Sequence, residues 1–135
     1  MENVLRGQCF CGQVKYEVEN NFKDFYLCHC KQCQRLTGSA FASNIITDPD
    51  NIKWLEGREK ITEYEHPSRV FSKSFCSSCG SGVPYINKSG DALVVPAGSL
   101  TDDPNIMPKA NIFSTEKACW LNEGLQAEAF DRFAS

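Results

Sequence analysis

Residues 9–19 read Cys-Phe-Cys-Gly-Gln-Val-Lys-Tyr-Glu-Val-Glu. Two thiols one residue apart, closed by a glycine, make a tight ligand-bearing turn, and a strand leaves it. From Gln13 to Glu19 the alternation is strict, with Val14, Tyr16 and Val18 on one face and Lys15, Glu17 and Glu19 on the other. That is the pattern of a half-buried strand. Outward from it lie further short β-rich runs at Phe25–His29, Ala40–Ile46, Ile61–Glu65, Arg69–Phe75, Pro84–Ile86 and Leu93–Val95. Breakers such as Asp48-Pro49-Asp50, His66-Pro67-Ser68 and Gly80-Ser81-Gly82 separate many of them. Many short strands with frequent turns predict a mainly β, antiparallel sandwich or barrel-like fold. Helical turns are expected at Lys31–Leu36 and Leu125–Arg132. No repeat, low-complexity run or linker divides the 135 residues, so 1–135 reads as a single domain.

Composition narrows the function classes. A chain that is 41% hydrophobic and 23% charged is globular rather than disordered. With a net charge of -3 and a pI near 5.4, no global basic field draws it to nucleic acid. No apolar run is long enough to span a membrane. The N-terminal MENVLRGQCF carries no apolar signal core, so a reducing cytoplasm is the expected location.

The eight cysteines are the outlier. Structural disulfides are rare in a reducing compartment, and a bridge needs two Cα atoms about 4.4–6.8 Å apart with suitable Cβ vectors. These cysteines instead cluster as Cys9-x-Cys11, Cys28-x-Cys30-x2-Cys33 and Cys76-x2-Cys79, with Cys119 alone. Thiolates one or two residues apart converge from one turn onto one ion, and an all-thiolate shell selects zinc before iron–sulfur. Cys9 and Cys11 pair with Cys76 and Cys79 to give a closed, structural site of four thiolates. Cys28, Cys30 and Cys33 leave one tetrahedral position open, the mark of a metal that meets water or substrate. An exogenous thiol, Cys119 or His66 would complete it.

The neighbouring residues have readings of their own. In an extended stretch His29 projects away from Cys28 and Cys30, so it is expected as a packed support for the ligands. Arg35 could clamp a carboxylate bidentately or be an ordinary solvated charge. Thr37-Gly38-Ser39 could offer N–H groups and hydroxyls to an anion or simply end the helical segment. Phe71, Phe75, Tyr85 and Trp54 are expected as core or half-core aromatics, His66 as exposed, and Cys119 as a buried inert thiol.

The motifs Gly7-Gln8-Cys9-Phe10-Cys11-Gly12, Cys28-His29-Cys30-x2-Cys33-Gln34-Arg35-x-Thr37-Gly38 and Phe75-Cys76-x2-Cys79-Gly80 occur in that order. Together they resemble the glutathione-dependent formaldehyde-activating enzyme family, which includes the related domain of centromere protein V. The likeness continues through Ala97-Gly98-Ser99-Leu100, Asp103-Pro104, Ile112-Phe113 and Lys117-Ala118-Cys119-Trp120. The resemblance implies a zinc-bound Mss4-like β fold. It implies a structural zinc on Cys9, Cys11, Cys76 and Cys79, and a second zinc on Cys28, Cys30 and Cys33. It also implies glutathione and a small aldehyde as partners, joined as S-hydroxymethylglutathione by a carbon–sulfur lyase or synthase. Two positions depart from the family's common residues: Asn111 stands where histidine is frequent, and Cys119 where proline is. An asparagine cannot transfer a proton as an imidazole can. Two alternatives use the same cysteines, a non-catalytic zinc-stabilised binding module and a thiol sensor that releases zinc on oxidation.

Overall fold

The computed structural model describes residues 3–134. Its first hairpin joins β1 (Val4–Gln8) to β2 (Lys15–Glu19) through the turn at 9–14. β3 (Asp24–Cys28) then runs into a short helix, α1 (Lys31–Thr37), and β4 (Ala42–Thr47) returns antiparallel to β3. β5 (Lys53–Glu56) pairs with β2, and β6 (Ile61–Glu65) pairs with β7 (Ser72–Cys76). Two-residue strands β8 (Gly82–Val83) and β9 (Tyr85–Ile86) lead to β10 (Leu93–Pro96). β11 (Ala110–Ile112) and α2 (Leu121–Gln126) follow. The strands form three sheets, ordered β1-β2-β5, β11-β3-β4-β10-β9 and β6-β7-β8.

The main core lies between the first two sheets. Leu5 from β1 and Tyr16 and Val18 from β2 meet Phe25, Ile45 and Leu93 of the five-stranded sheet. Val14, Tyr16 and Val18 are all within 2% of complete burial, as the period-two pattern requires. Gly7 lies opposite Tyr16 in the β1–β2 register, and a Cβ built there would overlap the Tyr16 ring. The ring sits there because its hydroxyl bonds the Ser99 hydroxyl at 2.6 Å, and edge contact with Trp54 holds its other side. Gly7→Ala is therefore expected to cost about 3 kcal/mol through overpacking. A lowered urea midpoint checks this, and an unchanged midpoint would remove the steric argument.

Several elements differ from the sequence expectation. The tail helix is Leu121–Gln126, not Leu125–Arg132. Ala118 and Leu121 are buried against Ala40 and Phe41, whereas Leu125, Phe130 and Phe133 are exposed and give a later helix nothing to pack on. The strand expected from Arg69 begins only at Ser72, because 67–70 form a bend closed by the His66 N–H to the Phe71 carbonyl. β1, β5 and β11 have no strong alternation and escape sequence reading. β11 also pairs parallel to β3, the exception in otherwise antiparallel sheets among the described residues. Trp54, Phe71, Phe75 and Tyr85 are half-buried as expected. Cys119 is exposed, because Ala118 and Leu121 on either side take the buried slots of that turn.

Candidate metal centres and the adjoining cleft

Two groups of sulfurs form, and they are the two groups that the spacing indicates. Cys9 and Cys11 come from the β1–β2 turn, Cys76 from the end of β7, and Cys79 from the turn after it. Both turns close on a glycine in the left-handed region, Gly12 at φ 81° and Gly80 at φ 79°. Their N–H groups bond the carbonyls of Cys9 and Cys76 at 3.1 and 2.7 Å. Ser81 links the turns, accepting from the Phe10 N–H at 2.9 Å with its hydroxyl 3.2 Å from the Cys79 sulfur.

A zinc–sulfur bond of about 2.3 Å gives tetrahedral edges of about 3.8 Å. Cys9–Cys11 and Cys11–Cys76 sulfurs are 3.6 and 3.8 Å apart, and all four lie within 4.8 Å of one another. The Val14 N–H adds a donor to the Cys9 sulfur at 3.3 Å. The residues fit a closed four-thiolate zinc site. Their acidities say why a cation belongs there. The Ser81 hydroxyl and backbone N–H, with the Cys11 N–H, hold the Cys79 thiol down at about 5. Cys11 is pushed up to about 11, since the Gln13 N–H that would lower it is outweighed by desolvation and three adjacent sulfurs. Four thiolates cannot coexist so closely without a countercharge.

The second group sits where β3 meets α1. Cys28 is the last residue of β3, Cys30 is the N-cap of α1, and Cys33 lies in its first turn. The Cys30 sulfur accepts the Cys33 N–H at 3.3 Å, so the cap itself folds Cys33 back. Sulfur separations are 3.7 Å for Cys28–Cys30 and 3.3 Å for Cys28–Cys33. All three residues are buried, and burial pushes the Cys28 and Cys33 thiols up, with the Cys30 sulfur adding to both. These three also fit zinc, with one tetrahedral position not filled by protein. Among the described residues neither Cys119 nor His66 belongs to this group. His66 is half-buried rather than exposed, its Nδ1 accepting the Ser68 N–H at 3.1 Å.

His29 is buried between two of the ligands, at 2% exposure, with the Phe41 ring tilted 52° against it at 5.2 Å. Its Nε2 lies 2.8 Å from Asn111 Oδ1, so Nε2 carries the proton and donates. Nδ1 is left buried without a hydrogen-bond partner. Asn111 thus has a part that sequence reading did not supply: it fixes the His29 tautomer across the β3–β11 pair. The main chain of the same pair adds the His29 N–H to the Ile112 carbonyl at 3.0 Å.

A cleft of about 1110 Å³ opens beside the three-sulfur group. Cys28, Cys30 and Cys33 all line it, whereas Cys9 alone of the four-sulfur group does. The three-sulfur centre faces the cleft, whereas in the four-sulfur centre Cys9 and Cys76 are buried beside Val14 and Val83 and Cys11 is exposed. Thr37 and Tyr85 are on the cleft wall; burial pushes the Tyr85 phenol up to about 12, with the Cys33 and Cys28 charges adding to it. Arg35 is exposed on α1 and does not line the cleft. Gly38 ends α1 at φ 65°, its N–H bonded to the Gln34 carbonyl at 2.7 Å. The Ser39 N–H is directed to the Thr37 hydroxyl, which donates to the Cys33 carbonyl at 2.8 Å. Lys73 and Lys88 also line the cleft, and the sequence offered no signal that would single them out.

No helix among the described residues is long and apolar enough to cross a membrane. The fold is similar to a crystal structure of a Rhodobacter sphaeroides protein, with a TM-score of 0.60 and 25% identity. That similarity covers 78% of this chain and 98% of the other. No curated protein matches the chain. A family profile described as glutathione-dependent formaldehyde-activating enzyme matches residues 4–116, through both cysteine groups and most of the cleft wall. The chain belongs to the glutathione-dependent formaldehyde-activating enzyme family.

Proposed function

We propose that the protein binds glutathione in this cleft and forms or cleaves an S-hydroxymethylglutathione-type adduct with a small aldehyde, as a carbon–sulfur lyase or synthase. Three buried sulfurs on the wall of one cleft carry this reading. The cleft's volume, about 1110 Å³, lies just above the roughly 300–1,000 Å³ typical of small-ligand sites. Cys28, Cys30 and Cys33 are assigned as the catalytic set and the ligands of the open zinc. Cys9, Cys11, Cys76 and Cys79 are assigned to the structural zinc. A cytoplasmic setting, where glutathione is abundant, agrees with the reduced thiols this chemistry needs.

A zinc ion bound by three thiolates carries a net charge of about -1, so what it supplies is a lowered thiol pKa rather than strong carbonyl polarisation. The remaining work falls to the chain. The substrate sulfur forms a bond to the carbonyl carbon while the C=O π pair moves to oxygen. The proton lost by the thiol ends on that oxygen, and the reverse sequence cleaves the adduct. Tyr85, kept protonated by its burial, offers an O–H to the developing oxygen charge. Arg35, Thr37 and Gly38 are assigned to the α1 end of the glutathione site. Thr37 is on the wall, and Arg35, exposed two residues before it on α1, makes no ion pair among the described residues.

Exchange NMR with ¹³C-formaldehyde and glutathione tests the proposal. The zinc-loaded protein at micromolar concentration is expected to raise the adduct's formation and breakdown rates at least about tenfold above the spontaneous reaction. Rates equal to the spontaneous ones at stoichiometric protein would refute the enzymatic reading.

A further inference from the structure

The wall of the cleft contains two lysines and no aspartate or glutamate, in a chain with 17 acidic residues and a net charge of -3. Neither lysine is neutralised. The ion pairs among the described residues use Lys15, Lys23, Lys53 and Lys109. Lys73, on β7, directs its ammonium to the Leu36 carbonyl near the C-terminal end of α1. Lys88, in the turn between β9 and β10, donates to the carbonyls of His66 and Arg69 at 3.3 and 3.0 Å. These partners are neutral, so they fix both ammonium groups in place without cancelling either charge. An ammonium has three protons to donate. Lys73 keeps two and Lys88 keeps one for a ligand.

The turn at Thr37–Ser39, assigned above to one end of the glutathione site, is by itself a poorer anchor for a carboxylate. The N–H groups of Gly38 and Ser39 already have partners within that turn, and a helix C-terminus presents carbonyl oxygens, which repel an anion. Lys73 sits on that carbonyl end and reverses its sign. Three thiolates around one divalent ion add a negative charge that would also oppose an anionic ligand, so compensating cations are needed nearby.

We infer that Lys73 and Lys88 are the anion anchors of the cleft and select a thiol that carries carboxylates over a neutral one. The inference rests on the glutathione reading above and names its charge partners. Each lysine contributes a charge-assisted hydrogen bond, so Lys73→Met or Lys88→Met is expected to weaken binding roughly tenfold or more. Lys53→Met, at an exposed ion pair with Glu17 away from the cleft wall, should move it less than about threefold.

Calorimetry on the zinc-loaded protein tests this with three probes: glutathione, S-methylglutathione (which keeps both carboxylates but has no free thiol) and glutathione diethyl ester. The expected result is that both dicarboxylates bind the unaltered protein at least tenfold more tightly than the ester, and that each lysine variant abolishes that preference. The ester comparison needs no variant, so a misfolded Lys73→Met protein cannot decide it alone; Lys88→Arg should restore part of what Lys88→Met loses. Equal affinity for glutathione and its ester, unchanged in the variants, would overturn the lysine assignment and leave thiol capture standing. Lysine-dependent binding of S-methylglutathione with no gain from a free thiol would sustain the anchors and sink the thiol chemistry. Binding of none of the three would overturn both.

Discussion

Cys76→Ser is expected to cost more stability than any other single substitution considered. Cys76 is completely buried, and its sulfur lies 3.8 Å from that of Cys11. The four-sulfur site joins the β1–β2 turn to β7 and its following turn, segments 65 residues apart by the Cys11–Cys76 contact. Around it the core is small, with Cys9 and Cys76 themselves filling it beside Val14 and Val83. A structural zinc of this kind contributes folding free energy outright, because the unfolded chain cannot assemble its ligands. Replacing one sulfur removes a ligand and leaves a buried hydroxyl among crowded thiols. A loss of at least about 3 kcal/mol is expected, a large share of the 5–15 kcal/mol that holds a domain. Thermal unfolding should move down by more than about 10 °C, and zinc content should fall from two to one. Strong chelation should reproduce the effect in the unaltered protein. Unchanged unfolding in both experiments would mean that the sheets hold together without the site.

Cys30→Ser should do the opposite, abolishing chemistry while sparing the fold. Cys30 has two parts, a ligand sulfur and the N-cap of α1 that accepts the Cys33 N–H. Serine is among the best N-cap residues, so the substitution keeps the second part and removes the first. The cluster around it, with Cys28, Cys33 and Ala42, lies at the cleft rather than in the main core. Apart from the stabilisation that the second zinc itself would supply, unfolding is expected to shift by no more than about 1 kcal/mol. The second zinc should be lost, and glutathione affinity should fall at least 100-fold, roughly the worth of one directly ligated sulfur against an uncoordinated one. Catalysed adduct formation should drop to the spontaneous rate. Full glutathione binding in a variant holding only the structural zinc would show that thiol capture does not use this site.

Much of this site was legible because its information is local. Cys-x-Cys-Gly, Cys-x-Cys-x2-Cys and Cys-x2-Cys-Gly each specify a turn whose sulfurs converge, and the structure gathers them as four and three. The Val14, Tyr16 and Val18 alternation likewise fixed one buried face. What escaped depends on distant partners. β11 is three residues, Ala-Asn-Ile, and becomes a strand only by lying parallel to β3. Asn111 reads as a departure from an expected histidine, yet its partner His29 is 82 positions away. Lys73 and Lys88 look like any surface lysine until the carbonyls of Leu36, His66 and Arg69 are seen to aim them at the cleft wall. Arg35 was attractive through its nearness to Cys33 in sequence, but the same helix that returns Cys33 to the cluster leaves Arg35 exposed and off the cleft wall.

Native mass spectrometry of the purified protein, with and without millimolar glutathione, tests the central claim of two unlike zinc centres most directly. The account predicts two zinc ions and one added glutathione, with Cys30→Ser retaining one zinc and no glutathione. Two zinc ions that never acquire glutathione, in protein supplied with excess zinc, would contradict it and identify both centres as structural.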